Sequence, residues 1–228
     1  VFARVTPEDK LHLIEAYSRA RLTAAMTGDG VNDAPALLAA DIGMAMGKKG
    51  TEVAKEAADI ILLDDNFTTI VAAVEEGRTI YLTIKKVLLY LFSTSIGELL
   101  AVSVSVFLGL PLPVIAVQII WLNFVTDGFL TVALGMEPKE TGLLHKSFKK
   151  PGRFLLAGND LARMTVMGIV MAAATLYLFT THPEDLLYRQ TLALTLLAVV
   201  QWLNAWNCRT EGSIFASKPW RNPSLILA

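Results

Sequence analysis

The chain has 228 residues, 54% of them in the AVILMFWYC set and only 18% charged, with 20 Lys+Arg against 21 Asp+Glu for a net charge of −1. That apolar share, with a mean hydropathy of +0.50, excludes a disordered chain, a fibrous one and a protein whose whole surface faces water, so part of it should contact a lipid bilayer. The near-neutral charge gives no electrostatic reason to expect nucleic acid as a partner, and the single cysteine, Cys208, cannot form an intrachain disulfide and reads as a packing or surface residue.

Thr6-Pro7-Glu8-Asp9 has a capping hydroxyl, proline at the first helical position and acids in the first turn, which predicts a helix over about 7–20. A short buried strand follows from Leu22 to Met26, ending at the turn Thr27-Gly28-Asp29-Gly30, with a helix from Val31 to Ala40. The repeated Ala-Ala-Asp-Ile, at residues 39–42 and 57–60, closes a helix and opens a strand each time, giving strands Ile42–Met46 and Ile60–Leu63. Strand and helix alternate, so a parallel sheet is expected. Three strands are too few for a self-sufficient doubly wound domain, which places the rest of the sheet before Val1.

Hydropathy divides the chain near residue 80. Residues 1–79 form the soluble α/β part and the start of a stalk. Residues 80–228 form a transmembrane domain with apolar stretches at about 87–110, 112–135, 161–181 and 190–208, and a further one beginning at Pro223. Between Asn66 and Lys86, Ile70, Val71, Val74, Ile80, Tyr81 and Ile84 recur at helical spacing without proline, so a helix should run from the α/β part straight into the first membrane helix. Arg78, Lys85 and Lys86 precede that helix, and Lys139, Lys146, Lys149, Lys150, Arg153 and Arg163 crowd the second link, while Arg209, Lys218 and Arg221 follow the fourth stretch. The excess of positive charge assigns these links, and residues 1–79 with them, to the cytoplasmic side of a multi-pass membrane protein. His12, His145 and His182 fall in surface-like segments, and Trp202, Trp206 and Trp220 read as interfacial anchors.

Two groups of residues carry chemistry. In the first, Thr27 to Pro35 (TGDGVNDAP) sets two carboxylates four residues apart around a glycine turn at a strand end, the edge where parallel α/β sheets bind ligands. Gly28 and Gly30 allow the backbone to approach a phosphate, Asp29 and Asp33 offer hard oxygens to Mg²⁺, and Lys10 could supply a cation for a transferring phosphoryl group. The second group is in the membrane. Glu98 and Asp127 lie midway along the first and second apolar stretches, where each carboxylate costs roughly 2.5–3.5 kcal/mol. Asn123, Thr126 and Asp127 share one helix face, Gly128 permits local unwinding, and Gln201 and Asn204 form a polar pair in the fourth stretch. The amides and the threonine could equally serve as interhelical hydrogen-bond glue. All these groups are hard-oxygen ligands, which suit Ca²⁺, Na⁺ or Mg²⁺ and not copper or zinc.

The nine-residue TGDGVNDAP stretch resembles the hinge motif of P-type ATPases, whose phosphorylation domain has the haloacid dehalogenase-like fold. Residues 1–10, 36–47, 50–58, 64–77 and 121–135 are similar to the calcium-pump, P2, branch. The resemblance covers nearly the whole chain, from late in the phosphorylation domain to the start of the ninth membrane helix. The fold class it implies is a partial haloacid dehalogenase-like α/β domain followed by an all-α transmembrane bundle. It implies roles for Lys10 as the phosphate-site lysine, Asp29 as Mg²⁺ ligand, Asn32 as phosphate contact and Asp33 as supporting acid, with Thr27, Gly28 and Gly30 lining the site. It implies Glu98, Asn123, Thr126 and Asp127 as ligands of a transported Ca²⁺. Ser95 stands where two-site calcium pumps have Asn, and Gln201 where they have Glu; both departures weaken one of the two sites. The cofactors implied are Mg²⁺ and ATP. The phosphorylated Asp of the DKTGT motif, the nucleotide pocket and the other domains are expected in a missing N-terminal part of the same pump, so these residues alone should hydrolyse no ATP. A pump for Na⁺ or another monovalent cation, and a non-pumping phosphatase-like or regulatory fragment, remain alternatives.

Overall fold

The computed structural model describes residues 5–139, 142–144, 155–183, 185–210 and 222–227. His145, Lys146, Lys149, Lys150, Arg153, Lys218, Trp220 and Arg221 lie outside the described residues, as does the start of the chain through Arg4. Packing divides the chain into two units, Val1–Val74 and Glu75–Ala228.

The first unit opens with helix α1 (Pro7–Arg19), capped by Thr6: the Asp9 amide donates to Thr6 Oγ1 (3.2 Å) and Asp9 Oδ2 accepts from the Thr6 amide (3.0 Å). Strands β1 (Ala25–Gly28), β2 (Ile42–Met46) and β3 (Ile60–Leu62) form one parallel sheet in the order β1-β2-β3, linked by α2 (Ala34–Ala39) and α3 (Glu52–Glu56). Gly28 pairs with Ala45, and Ala45 with Ile61. The repeated Ala-Ala-Asp-Ile has a physical basis here. The Asp41 carboxylate accepts from the Ala24 amide and that of Asp59 from the Gly43 amide (2.8 Å each), so each aspartate clips its own strand to the preceding one. Asp65 does the same for the following loop, accepting from the Lys48 and Lys49 amides (3.0 and 2.9 Å), which hold its carboxyl below the usual range. Leu37, Ala45 and Ala54 form the core.

Two elements differ from the sequence expectation. Strand β1 begins three residues later than Leu22, because the Leu22 amide donates to Tyr17 O (2.9 Å) and Arg21 is left-handed (φ 56°), so both complete the cap of α1. The helix expected from Val31 begins as a single 3₁₀ turn (Val31–Asp33) before α2, since Pro35 has no amide to donate and suits a first helical turn.

Helix α4 is continuous from Phe67 to Phe107, 41 residues, so the stalk and the first membrane stretch are one element. It ends three residues short of 110, where Gly109 takes φ 66° and the Leu110 amide reaches Ser105 O (2.9 Å). The expected helix 112–135 is interrupted. Pro111 and Pro113 keep the chain non-helical up to Ile115; α5 (Ala116–Trp121) then leads through a π-helical turn, Leu122–Thr126, into α6 (Asp127–Gly135). The irregularity therefore lies ahead of Asp127 and not at Gly128. Its cause is local: the Asn123 side chain donates to Ile119 O (2.9 Å), and the Asp127 amide reaches back five residues to Leu122 O. Helices α7 (Gly158–Thr181) and α8 (Leu186–Cys208) begin three and four residues earlier than expected, at the capping acids Asp160 and Asp185; α9 is Pro223–Leu227.

Among the described residues four helices are long and apolar enough to cross a membrane, and only 17–39% of their most apolar windows is buried, so their apolar side chains face outward as a bilayer requires. The inner face is a core of Leu89, Tyr90, Leu130, Leu134, Met164 and Leu225. Helices α4 and α7 cross at Gly97 and Gly168, where a Cβ on Gly168 would lie 2.4 Å from Ile96 Cγ2. Trp206 packs against this core with the Arg209 guanidinium 5.2 Å from its ring, while Trp202 is exposed. His12 is exposed, and His182 is half-buried with Nδ1 3.0 Å from Leu178 O.

Candidate functional site

At the end of β1 the glycine turn folds back on itself. Asp33, nearly buried, accepts from Lys10 Nζ at 2.7 Å through Oδ1, and through Oδ2 from the Asp29 and Gly30 amides at 3.3 and 3.4 Å. Gly28 is required for this packing, since a Cβ there would sit 2.6 Å from Asp33 Cβ. Burial by itself would raise the Asp33 carboxyl, but the Lys10 ammonium and the two amides outweigh it and hold the group below the usual carboxylate range. Asp29 and Asn32 are exposed at the same strand end, and the Asp29 carbonyl accepts from the Thr51 amide (2.9 Å), tying the turn to the start of α3. Thr27 is half-buried at the end of the strand. Lys10, Thr27, Gly28, Asp29, Gly30, Asn32 and Asp33 thus share one locality, in which Asp33 is the internal hub and Asp29 the carboxylate turned to solvent.

The second locality lies between α4, α6 and α8. Glu98 and Asp127 are 6% and 3% exposed. Asp127 Oδ1 accepts from the Tyr90 hydroxyl (2.6 Å), and the Thr94 hydroxyl lies 3.2 Å from Oδ2. Glu98 accepts from Gln201 Nε2 (2.7 Å) and Asn123 Nδ2 (3.2 Å). Every donor is neutral: among the described residues no Lys, Arg or His pairs with either carboxylate. The Gln201 Oε1 atom is buried without a partner among the described residues, an acceptor left over in a polar pocket. Thr126 is half-buried with no hydrogen bond to this cluster, and Ser95 is exposed, beside Glu98 on the helix surface but without a hydrogen bond to it. Asn204 donates to Ser93 Oγ (2.7 Å), which donates to Tyr90 O (2.9 Å), so it braces the cluster from outside.

Tyr90 and Thr94 are the residues of this candidate site that sequence reasoning missed. The available signal was spacing: 90, 94 and 98 are one α-helical face at successive turns, and 93, 97, 101 and 105 complete its buried stripe.

Residues 111–228 match the family described as "Cation transporting ATPase, C-terminus". The chain is 43% identical over 230 residues to a calcium-transporting ATPase of Bacillus subtilis, covering 99% of this chain and 26% of that protein. It is 37% identical over 275 residues to a calcium-transporting ATPase of Plasmodium falciparum, covering 100% and 22%. It is 42% identical over 213 residues to a probable cation-transporting ATPase F of Mycobacterium bovis, covering 92% and 24%. The chain therefore spans about a quarter of the length of these relatives. The family match over more than half the chain, with four membrane-capable helices, identifies a multi-pass membrane protein that belongs to the C-terminal region of the P-type, cation-transporting ATPases.

Proposed function

We propose that these residues are the C-terminal part of an ATP-driven P2-type pump that moves Ca²⁺ across a membrane, with residues 1–79 cytoplasmic. The observation that carries this reading is the pair of buried carboxylates, Glu98 and Asp127, held only by neutral hydroxyl and amide donors. Two such charges within a bilayer call for a positive partner, and a transported cation supplies it. The hard-oxygen chemistry of Asp127, Glu98, Asn123 and Gln201 suits Ca²⁺, as does the printed function of two relatives. Asp127 with Asn123 forms the dominant site and Gln201 the weaker one, so one Ca²⁺ moves per ATP, with Glu98 carrying a proton on the return step.

On the cytoplasmic side we assign the three-stranded unit to a haloacid dehalogenase-like phosphorylation domain. Its sheet leaves Ile42, Ile60 and Ile61 exposed, apolar surface that a parallel sheet normally covers, which supports further layers contributed by the rest of the protein. The solvent-facing Asp29 fits a Mg²⁺ that keeps several waters and takes one or two carboxylates plus phosphate oxygens. When bound, Mg²⁺ neutralises charge developing on a transferring phosphoryl group. Asp33 then orients Lys10 and the turn amides, Asn32 contacts the phosphate, Thr27 and Gly30 allow its close approach, and Gly28 makes room for the Asp33 side chain rather than for the phosphate. ATP itself is held by the part of the pump outside this chain.

A monovalent-cation pump is the second reading, favoured by the amide of Gln201 where a carboxylate would add charge. Phosphorylation of the full-length protein by ATP across a panel of Ca²⁺, Na⁺, K⁺ and Mg²⁺ separates the two. Phosphoenzyme formed only with Ca²⁺ supports the calcium reading, Na⁺ dependence supports the second, and none with any ion supports a non-pumping fragment.

A further inference from the structure

We propose that Tyr90 is a positioning residue for cation binding, acting through Asp127; this rests on the reading of Asp127 as a cation ligand. Tyr90 is fully buried, and its hydroxyl makes the shortest hydrogen bond to either carboxylate of the cluster, 2.6 Å to Asp127 Oδ1. An ionised carboxylate only accepts, so the phenol donates, and the bond is charge-assisted. Thr94 is the weaker partner. Its hydroxyl has one proton and lies 2.9 Å from Leu91 O as well as 3.2 Å from Asp127 Oδ2, so Tyr90 is the dedicated donor.

The phenol is itself held in place. It belongs to the buried core that α4 forms with Leu130 and Leu134 of α6. On the opposite side, Asn204 of α8 donates to Ser93 Oγ, and Ser93 to the Tyr90 carbonyl, which fixes the turn of α4 that carries the ring. A chain of hydrogen bonds therefore runs from α8 through α4 to the carboxylate on α6. Asp127 follows directly on a π-helical turn, which shifts the register of the helix that carries it, and the hydrogen bond from Tyr90 on α4 fixes the direction of its carboxylate. A ligand already aimed does not lose rotamer freedom when the cation arrives.

The test is the Ca²⁺ concentration that half-saturates phosphorylation by ATP in the full-length protein, measured for Tyr90→Phe, Thr94→Val and Asp127→Asn. Ser105→Ala is the control: it is buried on the same helix, and its hydroxyl has no partner among the described residues. Phosphorylation by inorganic phosphate without Ca²⁺ reports whether each variant is folded and competent. Tyr90→Phe keeps the ring and should raise the half-saturating Ca²⁺ about tenfold, equivalent to about 1.4 kcal/mol, with phosphorylation from inorganic phosphate retained. Thr94→Val should shift it less, and Ser105→Ala not at all. An unchanged Ca²⁺ dependence in Tyr90→Phe, a tighter one, or equal losses in both phosphorylation assays would overturn the positioning role. If Asp127→Asn also leaves Ca²⁺ dependence unchanged, the reading of the cluster as the cation site fails with it.

Discussion

Arg209 is 1% exposed and grips Glu137 with Nε and Nη2, at 3.1–3.2 Å and 2.9 Å; Asn222, at the start of α9, donates to the same carboxylate at 2.7 Å and to Ala133 O at 2.9 Å. Three helix ends, those of α6, α8 and α9, therefore meet on one buried carboxylate. Replacing Arg209 by Met preserves most of the volume but leaves Glu137, among the described residues, with Asn222 as its hydrogen-bond partner, and stranding one partner of a buried pair costs about 3–5 kcal/mol. Loss of the guanidinium from the Trp206 ring adds about 0.5–1 kcal/mol. The exposed Lys139–Glu76 pair is the contrast: both side chains are well solvated, and Lys139→Met should leave the unfolding midpoint nearly unchanged. The assay is SDS-induced unfolding of the full-length protein in mixed micelles, followed by loss of helicity. The double variant Arg209→Met/Glu137→Leu should recover most of the loss, because an apolar pair replaces the ionic one without stranding a charge. An Arg209→Met variant within 1 kcal/mol of the parent, or a double variant no better than the single, would refute the reasoning.

Other expectations follow from the strand-end site and the helix crossing. Gly28→Ala would place a Cβ 2.6 Å from Asp33 Cβ and should cost about 1–3 kcal/mol while lowering phosphoenzyme formation in the full-length protein. Asp29→Asn should leave membrane insertion intact but raise the Mg²⁺ concentration needed for phosphorylation about tenfold or more; normal phosphoenzyme at ordinary Mg²⁺ would make the turn merely structural. Because Asp33 has a lowered pKa in the folded chain, its stabilisation is present above its unfolded pKa of about 3.9 and is lost as pH falls through the lower folded value. Asp33→Asn should therefore reduce stability near neutral pH and make progressively less difference as the pH falls through the lowered folded value, measured as the unfolding midpoint across pH. Gly168→Leu should separate α4 from α7 beside Glu98 and weaken cation-dependent phosphorylation more than an exposed change such as Val170→Leu on the same helix.

Much of the fold was legible because its signals are local. Thr6 and Asp9 are a cap that needs no tertiary partner, the repeated Ala-Ala-Asp-Ile marks the same clip twice, and long apolar runs mark the membrane helices. What was not legible depends on contacts between distant segments. Asn123 competing for Ile119 O creates the π turn, whereas a glycine at 128 was the only visible irregularity in sequence. Ser95 and Thr94 differ by one position, about 100° around a helix. The sequence singles out Ser95 and passes over Thr94, and only packing turns Thr94 toward Asp127 and leaves Ser95 exposed. Tyr90 looked like one more apolar residue in a membrane run until its hydroxyl met a carboxylate 37 positions further along.

The central claim, that Asp127 and its neighbours hold the transported ion, is tested most directly by equilibrium binding of ⁴⁵Ca²⁺ to the full-length protein, normalised to the phosphoenzyme it can form. The account predicts a ratio near one, no bound Ca²⁺ for Asp127→Asn, and a smaller loss for Gln201→Ala. Retention of Ca²⁺ by Asp127→Asn, or a ratio near two with Gln201→Ala as damaging as Asp127→Asn, would contradict it.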